Sequence, residues 1–342
     1  MKSQSVSFKS LSLPNIKTIK APKRSVGSQP FNVIVHKEIA DHIRSWRFIV
    51  LVGLVVLTFM ASMYVSLGNI RSAVGNTNDP DHLFLYLKLL TITDNSIPPF
   101  HVFLSFLGPL LGISLGFDAI NAEQNGGTLT RLMAQPVYRD NLLLSKFVSA
   151  LIIVSALFLA LALLMIGAGL VLTGVRVEPQ ELLRILGFVV ISIVYVGFWL
   201  SLSIFLSIKF RQAATSALMA IGIWLFFTVF YQIVINLVVR SFLPDPALLS
   251  QGEIMAYNEF ILGLLRLAPN QLYTDATTTL LMPSVRSLGP ITMEQMARAI
   301  PSPLPFKESL MIVWPQVSGL IASAVACFAL SYYVFMRREI RS

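Results

Sequence analysis

The chain has 342 residues, 55% of them hydrophobic and 13% charged, with a mean hydropathy of +0.72. It is too apolar for a soluble globular domain and reads as an all-α polytopic membrane protein. The formal charge of +9 would suit a nucleic-acid partner, but the basic residues collect on connections along one side of the apolar runs, so none is expected.

Residues 1–30 hold Lys2, Lys9, Lys17, Lys20, Lys23 and Arg24 without a single acid, and three prolines. Such a composition cannot build a core and predicts a disordered basic tail, suited to anionic lipid headgroups. It lacks the apolar stretch of a secretory signal. From 31 to 47, Val33, Ile34, Ile39 and Ile43 alternate with Lys37, Glu38, Asp41, Arg44 and Arg47, which predicts a helix lying at the membrane interface.

Six apolar runs follow, at about 48–67, 99–120, 143–173, 185–208, 213–239 and 310–336. Each meets the requirement of about 20 residues for a helix crossing roughly 30 Å of hydrocarbon. Six crossings put both termini on one side. That side carries 17 of the 26 Lys and Arg, and the longer loops opposite carry nine, so both termini are expected in the cytoplasm of a plasma-membrane protein.

Between the second and third runs, Phe117 to Arg139 forms a polar connection. Glu123 sits where the second span leaves the bilayer, close to Asp118. After Gly126-Gly127, the residues Leu129, Leu132 and Met133 fall at i, i+3 and i+4, predicting a short amphipathic helix that stops near Pro136. In the second span, Gly108-Pro109, Gly112 and Gly116 allow either close helix contact or a kink. The loop of about 240–309 has helical periodicity from Glu253 to Leu267, ended by Pro269, and a capping pattern at Thr292 and Gln295. It is expected to be a structured outer loop.

No phosphate-cradling Gly-x-x-x-x-Gly-Lys-[Ser/Thr] loop occurs, so the chain is not expected to hydrolyse ATP. Asp118, near the end of the second span, is the ionisable group that a proton- or sodium-coupled carrier would have to use. The scattered His36, His42, His82 and His101, with the single Cys327, give no ligand spacing for a metal. No nucleophile and base share a spacing that would make a membrane enzyme.

The acid, the Gly-Thr-Leu turn, the Leu-Met helix and Pro-Val followed by Arg and Lys resemble the corresponding segment of ABC-2 type permeases, the membrane subunits of one class of ATP-driven transporters. The residues carrying the likeness are Glu123, Gly127, Thr128, Leu129, Leu132, Pro136, Val137, Arg139 and Lys146. The helix with Lys37, Glu38 and Arg44 is similar to the elbow helix of that family, and the outer loop also fits, so the resemblance covers 31–342. It implies a coupling helix that docks on a separate ATPase subunit, with Glu123, Gly127, Thr128, Leu129, Arg131, Leu132, Met133, Pro136 and Arg139 at the contact. It implies ATP and Mg bound by two partner ATPase copies, no cofactor on this chain, a second permease copy or a paralogue, contact with membrane lipids, and export. An ATP-independent secondary carrier and a membrane scaffold are the alternatives; transport by the chain alone would mark the carrier.

Overall fold

The computed structural model describes residues 30–73, 84–91, 97–128, 139–242, 250–284 and 303–337. The basic tail, the capping pattern at Thr292 and Gln295, and the core of the expected coupling helix (Leu129, Arg131, Leu132, Met133 and Pro136) lie outside the described residues. Among those described there is no strand. The elements are α1 (Pro30–Arg44), α2 (Trp46–Ala73), α3 (Leu85–Thr91), α4 (Phe100–Gly116), α5 (Asn121–Asn125), α6 (Arg139–Thr173), α7 (Pro179–Lys209), α8 (Ala213–Leu225), a π-helical segment (Phe226–Phe230), α9 (Tyr231–Phe242), α10 (Gln251–Leu265), α11 (Pro269–Leu281) and α12 (Phe306–Arg337).

Six stretches are long and apolar enough to cross a membrane: Trp46–Gly68, Phe100–Asn125, Arg139–Thr173, Pro179–Lys209, Ala213–Ser241 and Phe306–Arg337. These are spans 1 to 6. Several extend past the apolar runs because capping, not hydropathy, sets their ends. Span 4 starts at Pro179, where proline suits the first helical turn and Glu178 and Glu181 form a capping box.

Span 4 is the axis of the bundle. It packs against spans 2, 3, 5 and 6 and against α11. In spans 2 and 4, 61% and 67% of the most apolar window is buried, against 17% in spans 5 and 6, whose large apolar side chains face outward.

The contact between spans 2 and 4 explains the glycines of span 2. A Cβ at Gly112 would stand 2.7 Å from the Val196 carbonyl oxygen and 2.9 Å from the Leu200 nitrogen. One at Gly116 would stand 2.9 Å from Ser203 Cβ and 3.0 Å from the Leu200 carbonyl oxygen. The backbones meet where side chains are missing, as small residues permit between membrane helices. Ser203 Oγ adds a hydrogen bond to the Ile113 carbonyl at 3.1 Å.

At the end of the bundle away from α1, the buried Arg184 of span 4 ties two chain segments together. It donates to the Leu280 carbonyl at the last turn of α11 and to the Leu304 carbonyl just before span 6. The guanidinium satisfies a helix C-terminus that would otherwise expose carbonyls. Glu181, one turn earlier, accepts from the Tyr86 backbone N–H of α3 at 2.8 Å.

Candidate functional site

The site is assembled where α1, the end of span 2 and the start of span 3 meet. Val35, Glu38, Ile39 and His42 recur along one side of α1, and Val35 and Glu38 are buried as that helix packs on span 3. Span 2 runs through a turn at Phe117–Ile120 into α5. Ser207 Oγ of span 4 accepts from the backbone N–H groups of Ile120 and Asn121, fixing the start of α5. Glu123 lies in the first turn of α5.

Lys146 of span 3 joins the other two elements. Its ammonium lies 3.0 Å from Glu38 Oε2 and 2.8 Å from Glu123 Oε1, with all three side chains nearly buried. Lys37 adds a rim, 3.1 Å from Glu38 Oε1, 3.4 Å from Asp41 and 3.7 Å from Glu123. Beside this group, Arg47 donates to Asp118 at 2.7 Å and lies 4.7 Å from the centre of the Phe117 ring. Together these residues line a cavity of about 360 Å³, which Ser45, Ser114, Gly126 and Thr128 help to enclose.

Three cations (Lys37, Arg47, Lys146) face four carboxylates (Glu38, Asp41, Asp118, Glu123) across this cavity. Burial would raise the Glu38 pKa, but the Lys146 and Lys37 ammonium groups outweigh it and hold the carboxyl below its ordinary range. Burial, ahead of the Lys146 charge, pulls His42 down and favours the neutral ring. Glu123 Oε2 is buried and has no hydrogen-bond donor among the described residues. The cluster is a junction of ion pairs that couples the position of α1 to those of spans 2 and 3. Among the described residues no group of three or more His, Cys, Asp or Glu is arranged to hold a metal.

Of the residues expected at the coupling contact, Glu123 and Thr128 lie at this cavity, together with Lys37 and Glu38 of the expected interfacial helix. Gly127 is exposed with φ +66°, a left-handed turn that suits glycine, and Thr128 Oγ1 donates back to the Glu123 carbonyl. Arg139 begins span 3, and Arg44 is exposed at the last turn of α1. Asp41, Asp118, Arg47 and Lys146 complete the junction and were not among the expected contact residues. A lone lysine inside an otherwise apolar run, as Lys146 is, was the available signal.

A second polar group lies about halfway along span 4. Tyr195 of span 4 reaches the Ser105 carbonyl of span 2 at 2.8 Å and Asn270 Oδ1 of α11 at 2.7 Å. Asn270 Nδ2 donates to Thr228 Oγ1 in the π-helical segment of span 5. The Tyr195 and Tyr273 rings stack with centroids 4.2 Å apart. Next to these residues is a cavity of about 220 Å³, whose walls include Phe106, Phe227, Tyr231 and Gln232 and, among the described residues, no charged side chain.

Residues 32–340 match the family model described as ABC-2 family transporter protein. The chain is similar to the probable ABC transporter permease protein NosY of Stutzerimonas stutzeri, with 30% identity over 226 residues, covering 65% of this chain and 75% of that protein. It is likewise similar to the probable ABC transporter permease protein NosY of Pseudomonas aeruginosa, with 29% identity over 246 residues, covering 70% and 78%.

Proposed function

This chain belongs to the ABC-2 family of transporter proteins as a multi-pass permease subunit, and from that membership we propose that it couples ATP hydrolysis by a separate ATPase subunit to export across the plasma membrane. Two permease copies, or this chain with a paralogue, form the pathway, and two ATPase subunits supply ATP and Mg. The chain itself hydrolyses no ATP. Both termini and the Lys146 junction face the cytoplasm, in keeping with the distribution of Lys and Arg.

The observation that carries this reading is the buried bridge from Glu38 through Lys146 to Glu123. An ion pair held between three segments resists their independent displacement. A push on the connection after Glu123 therefore moves α1 and span 3 with span 2. In this reading the coupling helix within 127–136 takes up closure of the ATPase pair, its Leu129, Leu132 and Met133 face docks on the ATPase, and α1 lies at the membrane interface. The junction passes that motion to α1 and spans 2 and 3 together.

The test is purification of the tagged chain from gentle detergent, followed by mass identification of its companions and an ATPase assay in vesicles. A co-purifying ATPase whose turnover is lost or uncoupled in Leu132→Asp, with membrane insertion unchanged, supports the proposal. A chain that purifies alone and transports without ATP overturns it.

A further inference from the structure

Span 5 hangs from span 4 on a short link. Span 4 ends at Lys209 and span 5 starts at Ala213, with Phe210, Arg211 and Gln212 between them. Phe210 (φ −98°, ψ 138°) and Gln212 (φ −94°, ψ 130°) are extended, so neither helix runs on into the other. Span 4 is locked to span 2 by the close backbone approach at Gly112 and Gly116. Span 5 is held more loosely, with 17% of its most apolar window buried against 67% in span 4.

The link is fastened from one side by α5. Asn125, the last residue of that helix, donates from Nδ2 to the Arg211 carbonyl at 2.9 Å, across 86 positions of sequence. At the other end of α5, Ser207 Oγ holds the Ile120 and Asn121 N–H groups at 3.0 and 3.2 Å. These attachments differ in kind. Ser207 is fully buried in the last turn of span 4 and fixes where α5 starts, whereas the Asn125–Arg211 bond is exposed. Water competes for such a bond, so it adds little to the fold and can bias where a loosely held helix rests. Two residues before Asn125, Glu123 carries the bond to Lys146. One short helix therefore touches both the junction that gathers α1 and span 3 and the link from which span 5 hangs.

We infer that Asn125 is a positioning residue for coupling: its amide ties the Arg211 link to α5, so that a displacement of the junction is passed on to span 5. The inference rests on the ATPase-coupled reading above and adds the element that moves against the others. Lys146 makes α1 and spans 2 and 3 travel together, and the glycine contact carries span 4 with span 2. Relative movement therefore needs a contact onto an element outside that set. A hydrogen bond open to water shifts a two-position equilibrium by up to about tenfold, enough to set the angle of span 5. An ionised carboxylate at 125 has no hydrogen to donate to a carbonyl, and a glutamine keeps the amide.

The test uses the full chain purified with its co-purifying ATPase, with Cys327→Ala removing the single native cysteine. A polarity-sensitive fluorophore is placed at Leu218→Cys, in the second turn of span 5, or at Leu144→Cys, two residues before Lys146 on span 3; both positions are exposed. Emission is compared without nucleotide and with ATP and vanadate. Both labels should respond in the chain that keeps Asn125. In Asn125→Ala and Asn125→Asp the span 5 response should fall at least threefold while the span 3 response is kept, and Asn125→Gln should restore it.

A span 5 response unchanged in Asn125→Ala overturns the inference. So does an equal loss at both labels, which is what a merely structural asparagine would give. A response at span 3 without one at span 5, in the chain that keeps Asn125, overturns it while leaving the coupling reading intact. If neither label responds, or no ATPase co-purifies, the coupling reading falls and the inference with it.

Discussion

Lys146 Nζ stands 2.8 Å from Glu123 Oε1, with the two side chains only 6% and 12% exposed. Because Glu38 lies on the other side of the same ammonium, removing the lysine leaves two carboxylates facing each other in a buried space. Breaking a buried pair by deleting one partner costs about 3–5 kcal/mol. Lys146→Met should therefore lower the melting temperature of the detergent-solubilised protein markedly. Adding Glu123→Leu leaves Glu38 with Lys37, 3.1 Å away, and should recover most of the loss. A melting temperature unchanged by Lys146→Met would show that the junction carries little stability.

Acid should weaken the same junction in two stages. His42 is depressed below 6.5 by burial and then by Lys146, against the opposing pull of Glu38, Asp118 and Asp41. The folded protein thus resists a proton that the unfolded chain accepts, and stability falls as pH drops below about 6.5. Glu38 is depressed below 4.5, because Lys146 and Lys37 outweigh burial, so its contribution is present above that value and is lost as pH falls through the folded value. Melting temperature against pH should show the upper stage vanish in His42→Gln and the lower one shrink in Glu38→Gln.

The glycine contact between spans 2 and 4 gives a steric prediction. Gly112→Ala puts a methyl group 2.7 Å from a backbone oxygen, which cannot move aside as a side chain could. The helices must separate, at a cost of about 1–3 kcal/mol. Gly53→Ala, where nothing beyond its own helix backbone and chain neighbours lies within 4 Å of the added carbon, should leave melting unchanged.

Arg184 supports a prediction at the other end. Its guanidinium reaches two carbonyls in different segments, and a lysine has no planar fork with which to hold both. Hydrogen bonds to a charged group contribute about 1.5–3 kcal/mol each. Arg184→Lys should therefore speed protease cleavage between α11 and span 6, at 282–305, without loss of membrane insertion. Unchanged cleavage would sink this role.

Hydropathy alone located the six spans, because a helix in hydrocarbon must be apolar over its whole crossing. Other elements were hidden for identifiable reasons. The pattern from Glu253 to Leu267 became α10 over Gln251–Leu265, begun by the Ser250–Glu253 capping box. Pro269, which reads as the end of that helix, is instead the first turn of α11. That helix is threonine-rich and has little propensity of its own; Tyr273, Thr277 and Leu280 are buried by packing against spans 4 and 6. The seven-residue α3 is likewise set by tertiary contacts, through Tyr86 and Glu181. At the junction, Glu123 and the Lys37–Glu38 pair stood out as charges near a membrane boundary. Their joining by Lys146 is a contact over 108 positions from Glu38 that no local pattern encodes.

The π-helical segment at Phe226–Phe230 has a consequence for the register of span 5. A π turn holds one residue more than an α turn, so it is equivalent to a single-codon insertion that the helix absorbs without breaking. Each residue of an α-helix advances the side chains by about 100°, so deleting one position here would swing everything after it by that angle while leaving residues 213–225 in place. Thr228 would lose its alignment with Asn270, and Gln232 would turn away from the wall of the 220 Å³ cavity. One extra residue thus lets the two halves of a single crossing be aimed independently.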